Sequence, residues 1–282
     1  MPERLRSERF GFRLAALAII ASSLAACGQD PAPQPETVQT DAPAPLAKQP
    51  SVVVPTPEPV LTRNDLVEAV RQAASAYASG QDPGAENTLV GQKFSARLTF
   101  GCEGPALPGS EQPGFADWSW GDQRKTIVLR MLPADWKDAA MITQAGVSDK
   151  WEAIEGFWIT RPWLLADGCP AAKSDPLQTA GAASPQTVGL AAVFDAGGSR
   201  VGRRDGRAYR FTVRQKDEPL APPQNGYRLV LQGRIEAFPS GRAVECRASN
   251  ANERPVCILA TRLDRVAFET ADQDTLAEWR TD

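Results

Sequence analysis

The sequence predicts an α+β fold made mainly of antiparallel β-strands, in one or two small lobes that follow an N-terminal helix. Two observations support this prediction. Several segments alternate apolar with polar residues, which is typical of strands whose sheet meets solvent on one face. One segment after residue 60 instead repeats its apolar residues at helical spacing, and a proline-rich stretch precedes it.

The helix is predicted to begin at Thr62–Asp65, where a hydroxyl and a carboxylate have the spacing of a capping box. Gly80 would end the helix after about four turns. The apolar residues that recur at helical spacing are Leu66, Val70, Ala73 and Tyr77.

Strands are predicted where apolar and polar residues alternate. Residues 263–269 have the pattern of a half-buried strand whose charged side chains face outward. Two further segments, 135–145 and 272–280, are compatible with helices. The four clearest alternating segments are 94–100, 127–132, 209–214 and 227–232.

The composition divides the chain into several parts. Residues 28–60 contain nine prolines and little that could form a core, so we expect a disordered Pro/Ala-rich tether. Residues 171–186 are a second compositional break. We therefore expect two closely packed lobes, an α+β lobe at 61–170 and a mainly-β lobe at 187–282. One large mainly-β domain is the alternative.

Residues 1–27 have the features of a signal peptide. Four arginines precede an apolar run of 13 residues, Leu14–Ala26, which is shorter than the roughly 20 residues of a membrane-spanning helix. The run leads into Leu24-Ala25-Ala26-Cys27, which resembles the lipobox of bacterial lipoproteins. The resemblance implies that Cys27 becomes the N-terminus and carries fatty acyl chains such as palmitate. An ordinary secretory leader is the alternative.

The resemblance also implies a location. Several acyl chains anchor a protein stably, whereas one chain binds a membrane only reversibly. Gly28 stands where an aspartate commonly retains Gram-negative lipoproteins in the inner membrane. We therefore expect a lipid-anchored protein of the cell envelope, on the periplasmic face of the outer membrane. Fully extended, the tether would reach at most about 90 Å from its lipid.

Composition excludes several classes of function. The chain contains no histidine, which rules out Ser-His-Asp triads, Cys-His pairs and histidine-bearing zinc sites. Without residues 1–27, which hold four arginines and two glutamates, 27 basic and 32 acidic residues leave a net charge of −5. A mildly acidic chain is poorly suited to neutralising phosphates, so nucleic acid is not an expected partner. No cofactor and no metal are predicted.

Four cysteines follow the lipobox, and an even number in an oxidising compartment predicts disulfides. We expect a Cys246–Cys257 bond, because strand-like segments flank a polar hairpin loop between these residues. Cys102 and Cys169 would then pair, each within a turn that contains Gly and Pro. A four-thiolate metal site is the alternative, but the Cys-x-x-Cys spacing typical of such sites is absent.

Trp118 and Trp120 lie two residues apart, so on a strand both rings would face the same side of the sheet. Such a pair can stack on the apolar faces of sugar rings, as in peptidoglycan. The alternative, which we favour, is that both rings pack in the core.

Residues 155–164 form the densest aromatic patch of the chain. Arg161 lies between Trp158 and Trp163, where a cation–π stack would stiffen a structural corner. The alternative is a docking patch for a partner, because Trp and Arg dominate binding hot spots.

Residues 197–207 form a glycine-rich basic loop. The loop lacks the Gly-Lys-Ser/Thr ending of nucleotide-binding loops. We favour a solvated hairpin tip, with a site for an anionic envelope polymer as the alternative. Its arginines are Arg200, Arg203, Arg204 and Arg207.

The predicted function is binding or structural, through contact with the cell wall, a glycan or another envelope protein. The contrasting hypothesis is a hydrolase of envelope polymers that uses two carboxylates. Asp135/Asp138 and Glu152/Glu155 are spaced to share one face of a helix. Such local pairs are typical of surface charges, so no catalytic residue is assigned.

Overall fold

The structure is a computed structural model, and it describes most of the chain after residue 57. The lipobox, Cys27 and the tether up to residue 57 lie outside the described residues, so the predictions made for them stay predictions. The described ranges are 58–81, 86–146, 151–172, 186–198, 200–201, 207–215 and 220–281.

The predicted helix and its capping box are confirmed. The Thr62 hydroxyl accepts the Asp65 N–H at 3.4 Å, and the Asp65 carboxylate accepts the Thr62 N–H at 2.7 Å. The helix, α1, spans Arg63–Ala78 and is followed by Gly80, whose φ of +66° suits glycine. Its hydrophobic residues that are fully buried are Leu66, Val67, Val70 and Ala73.

The chain is mostly β. Besides α1, the described ranges contain one short α-helix, α2 (Ala140–Ala145), and two 3₁₀ turns, Glu86–Leu89 and Asp122–Arg124. All four alternating segments form strands, as predicted. The strands are β1 (Leu61–Thr62), β2 (Lys93–Phe100), β3 (Ala116–Gly121), β4 (Thr126–Met131), β5 (Ala134–Asp135), β6 (Trp151–Trp158), β7 (Val188–Asp195), β8 (Tyr209–Arg214), β9 (Tyr227–Ile235), β10 (Val244–Arg247), β11 (Val256–Thr270) and β12 (Thr275–Arg280).

The strands form two sheets. The main sheet has the order β1-β2-β9-β11-β7-β6-β5, with β10 and β12 also paired to β11, and the small sheet has the order β3-β4-β8. Pairing is antiparallel except at β1–β2 and β7–β11, which makes the main sheet mixed. Because β2 lies beside β9 and β6 beside β7, the predicted ranges 61–170 and 187–282 both contribute strands to the main sheet.

The long strand β11 organises the main sheet. Its first half pairs with β7 and β10, and its second half pairs with β9 and β12. The sheet is covered on both faces near β7. Leu190 and Ala192 belong to the core shared with α1 and the small sheet, whereas Ala191 and Val193 pack with Ile142 of α2 on the other face.

Both predicted disulfides are present. Cys246 and Cys257 are directly opposite each other in the β10–β11 hairpin, with their Cα atoms 4.1 Å apart. The second bond joins Cys102 to Cys169, with a Cα separation of 5.4 Å. It ties the turn after β2 to the segment that follows β6.

The helix predicted for residues 272–280 is wrong, because this segment includes strand β12. Trp279 packs edge-on against Tyr209 and Phe268, with ring centroids 5.1 and 5.6 Å apart. This packing against the core, together with the pairing to β11, outweighs the helical preference of the segment.

The helix predicted for residues 135–145 is right only for its second half, α2. Ala134 and Asp135 pair with β6 instead, and Trp136 packs flat on the main sheet. A Cβ on Gly156 would lie 2.1 Å from the Trp136 ring, and one on Gly189 would lie 2.6 Å from it. The indole therefore occupies the space that these two glycines leave.

The prediction that the charges of residues 263–269 face outward is correct for Asp264 but wrong for Arg265 and Glu269. These two side chains are 8% and 3% exposed, because both faces of the sheet are covered there. Glu269 compensates by pairing with the Arg97 Nε at 3.1 Å and the Arg265 Nη1 at 3.9 Å. A charge in such a position needs an opposite charge beside it.

We predict that Glu269→Gln destabilises the fold by about 2 kcal/mol, because it removes the buried carboxylate beside Arg97 and Arg265, although Glu278 still pairs with the Arg265 Nε at 2.8 Å. Urea denaturation followed by tryptophan fluorescence measures the change. Glu68→Gln is the matched control, since Glu68 forms an exposed pair with Arg71 and its loss should cost under about 0.5 kcal/mol. Equal losses in the two variants would contradict this account of β11.

Candidate functional site

The aromatic patch at residues 155–164 separates into a buried and an exposed part. The Trp158 ring packs edge-on against Trp136, with centroids 4.9 Å apart. Trp163 is 56% exposed, and nearby Leu165 is 59% exposed. Together the two side chains form a small exposed apolar surface, which makes this segment a candidate interaction site.

Arg161 makes a backbone contact where a cation–π stack was predicted. Its Nη2 donates to the Thr99 carbonyl at 2.9 Å and lies 3.6 Å from the Cys102 Sγ. Among the described residues, the cation–π contact is made by Arg124 over the Trp120 ring, at 6.0 Å. Arg161 thus holds its segment against β2 and the Cys102–Cys169 bond.

Arg63 fixes the same segment to the first turn of α1. Its buried guanidinium donates to three backbone carbonyls at 2.8–3.0 Å. Asn64 Nδ2 adds a bond to a fourth carbonyl at 2.8 Å. Burial lowers the pKa of Arg63, but Asp167 acts in the opposite direction and an arginine stays charged. The four carbonyls belong to Thr160, Arg161, Leu164 and Leu165.

A cavity of about 440 Å³ lies between α1 and this segment, and we call it the Trp163 groove. Trp163 and Leu165 line one side of it, and Val70 and Ala74 of α1 line another. Pro255 closes the end next to β11. The groove is therefore an open, mainly apolar site with one large exposed ring.

Two arginines border the Trp163 groove. Arg71 lies on α1, where its Nη1 is 2.9 Å from the Glu68 carboxylate in an exposed pair. Arg254 is exposed and forms no ion pair within the described part of the chain. The exposed pair of Arg71 is weak and Arg254 has no pair among the described residues, so both guanidinium groups can bind an anionic ligand.

Trp118 and Trp120 lie on β3 and face the core, with centroids 5.3 Å apart and rings nearly perpendicular. Trp118 is buried, and its indole N–H donates to the Gly101 carbonyl at 3.2 Å. The two rings therefore offer no shared stacking surface, and Trp120 alone reaches a second cavity.

This second cavity, the Asp117 cleft, lies between the outer face of the small sheet and the segment 105–111, and measures about 450 Å³. Asp117, Arg130 and Arg210 form a row across its floor, because they are in register on β3, β4 and β8. Glu111 reaches in from the covering segment and accepts from the Arg130 Nη1 at 3.1 Å.

Asp117 is the perturbed carboxyl of this cleft. Burial raises its pKa, and the charge of Glu111 adds to the rise, while Arg130 acts in the opposite direction. Perturbed titratable groups in clefts are enriched at functional sites. The geometry gives the cleft a carboxyl group, one engaged arginine and one open arginine.

The glycine-rich basic loop is described only in part. The Arg200 Nη2 pairs with the Glu152 carboxylate at 2.9 Å, and the Gly197 N–H donates to the same carboxylate at 3.1 Å. Arg207 is exposed. The predictions for Arg203 and Arg204 lie outside the described residues.

The carboxylate pairs do not share a helical face. Glu152 and Glu155 are three apart on strand β6, so they point to opposite faces, the first exposed and the second buried. Asp135 is in β5, and Asp138 lies in the exposed turn that follows. The shared helical face expected for both pairs is therefore wrong.

The chain matches no protein-family model, no curated protein and no solved structure. Within the described residues, no three His, Cys, Asp or Glu side chains come together as metal ligands. Over the same ranges, no helix has the length and apolarity needed to cross a membrane.

Sequence reasoning missed Arg63 and the Asp117 row. Arg63 has no local signal, since its acceptors are about 100 residues away in the chain. The row has a partial signal, because Asp117, Arg130 and Arg210 are the polar members of alternating segments. Only the strand order of the small sheet brings the three together.

We predict that the Asp117 carboxyl titrates above the usual range of aspartate in carboxyl-detected NMR, because it is half-buried. Arg130→Gln should raise this pKa further by removing a cation, and Glu111→Gln should lower it by removing a negative charge. Asp65 is the control in the same spectra, since its hydrogen bonds to Thr62 lower its pKa. A pKa of Asp117 that neither variant moves would contradict the described cleft.

Proposed function

We propose that the protein is a lipid-anchored cell-envelope protein of the binding type and that its Trp163 groove binds peptidoglycan. The observation that carries the proposal is the exposed Trp163 and Leu165 beside Arg71 and Arg254. These side chains combine an apolar surface with two cations.

Peptidoglycan has the chemistry that this groove complements. Its sugar rings present apolar C–H faces, on which an indole packs well. Its stem peptides carry carboxylates, and guanidinium groups bind carboxylates through two parallel hydrogen bonds. Trp163 would take the apolar part of a strand, and Arg254 and Arg71 would take the carboxylates.

The rigidity of the groove supports the proposal. Trp163 and Leu165 lie in an irregular segment, yet Arg63 and Asn64 bind its carbonyls on one side. An exposed ring on a fixed segment loses little conformational entropy when a ligand binds. This arrangement favours binding over a mere packing role for the segment.

The expected anchor gives the groove access to the wall. If Cys27 carries the acyl chains that its lipobox implies, residues 28–57 connect the membrane to the start of the described chain. Such an anchor would put the groove on the periplasmic side of the membrane, where peptidoglycan lies. Binding is favoured over the hydrolase hypothesis, because the carboxylate pairs at Asp135/Asp138 and Glu152/Glu155 do not come together in a cleft.

We predict that the full-length chain, extracted from membranes in mild detergent, co-sediments with purified peptidoglycan sacculi. Trp163→Ala should weaken this binding by about tenfold or more, as expected of a central tryptophan. Arg254→Gln should weaken it less and should reduce its dependence on salt, because it removes one charge contact.

The matched controls are Tyr77→Ala and Arg207→Gln, which change an exposed aromatic residue and an exposed arginine outside the groove. Both should bind as the unmodified chain does. Melting temperatures of all variants show whether the fold is retained. If Trp163→Ala folds and co-sediments undiminished, the groove is not the wall contact.

A further inference from the structure

The Asp117 cleft has the composition of a small-molecule site, and the proposed function does not use it. Its volume of about 450 Å³ lies in the range of ligand pockets, roughly 300–1,000 Å³. The floor is polar and the covering wall is apolar. Leu107, on that wall, is 73% exposed, which is the highest value among the large hydrophobic side chains of the described residues.

The charges of the cleft are unevenly paired. Arg130 is occupied, since Glu111 lies 3.1 Å from its Nη1 and Asp117 faces it in register from β3. Arg210 faces Arg130 from β8 and is exposed. Over the described residues, the side chain of Arg210 forms neither an ion pair nor a hydrogen bond. The unpaired charge in the cleft is therefore the positive charge of Arg210.

The remaining polar groups are hydrogen-bonding partners for hydroxyl groups. Asp117 is half-buried beside Arg130, and Ser119 lies two residues along β3 on the same outer face. A carboxylate accepts two hydrogen bonds side by side, which suits a vicinal diol. Val128 lies opposite Ser119 on β4 and adds apolar surface to that of Leu107.

We propose that the Asp117 cleft binds a pyranose ring that carries a carboxylate, as in a hexuronic acid. The ligand carboxylate pairs with Arg210 in a charge-assisted bond. Two ring hydroxyls donate to Asp117, and the apolar face of the ring packs against Leu107 and Val128. A neutral sugar has no charge to pair with Arg210. A simple carboxylate has no hydroxyl groups to donate to Asp117 and no ring to pack against the apolar wall.

Three probes test this assignment on the full-length chain by saturation-transfer NMR. D-Glucuronate carries both the ring and the carboxylate, D-glucose carries the ring alone, and acetate carries the charge alone. We expect glucuronate to bind roughly tenfold more tightly than either control, which is the effect of one charge-assisted hydrogen bond. Acetate binding as tightly as glucuronate, or no binding of glucuronate, overturns the proposal.

Variants assign the binding to the cleft. Arg210→Gln and Asp117→Asn should each weaken glucuronate binding by roughly tenfold. Arg214→Gln is the matched control, since it changes an exposed arginine on the same strand and the same outer face but outside the cleft. Equal losses from Arg210→Gln and Arg214→Gln overturn the assignment.

The Asp117 cleft and the Trp163 groove are separate sites, and one variant distinguishes their ligands. Trp163→Ala should leave glucuronate binding unchanged, because Trp163 does not line the Asp117 cleft. If this variant, still folded, loses glucuronate binding, the ligand is bound elsewhere and the cleft assignment fails.

Discussion

The contacts of Arg63 with the segment 160–165 are the constraint on which the candidate groove depends. This segment follows β6 and has no regular secondary structure, so its backbone carbonyls need donors from elsewhere. Arg63 supplies three such bonds from the first turn of α1, and the Cys102–Cys169 bond holds the far end of the segment. Because both ends are fixed, Trp163 is exposed without being loosely held.

The main sheet contains a group of buried charged side chains on strand β11. Strand β11 pairs with four other strands, and its side chains are buried on both faces of the sheet along most of its length. Glu269 and Arg265 are buried there, and their charges are balanced by Arg97 beside Glu269 and by Glu278 beside Arg265. Burying such an ion cluster costs desolvation energy, which the pairing of opposite charges offsets.

The small sheet shows how one fold provides two surfaces. Its inner face carries Trp118, Leu129 and Tyr209 into the common core. Its outer face is left with polar residues, since side chains alternate along each strand. The same alternation that stabilises the core therefore places Asp117, Arg130 and Arg210 together beneath the segment 105–111. The Trp163 groove arises differently, from an irregular segment fixed by side chains.

Local patterns predicted the parts of the fold that local physics decides. The capping box at Thr62, the alternating strands and the Cys246–Cys257 hairpin all depend on neighbours within a few residues. The strand nature of 275–280 depends on Trp279 packing against Tyr209, and the burial of Glu269 depends on which strands cover β11. The Trp163 groove and the Asp117 cleft also depend on tertiary contacts, because Arg63 and the Asp117 row acquire their partners only from distant parts of the chain.

Hydrogen exchange of Arg63→Met tests the central claim most directly, because methionine keeps the apolar stem and removes every donor. We expect the Leu164 amide, which donates to the Arg161 carbonyl, to exchange much faster, the amides of β9 and β11 to keep their protection, and sacculus binding to fall. Unchanged exchange of the Leu164 amide together with undiminished binding would show that the groove does not depend on Arg63.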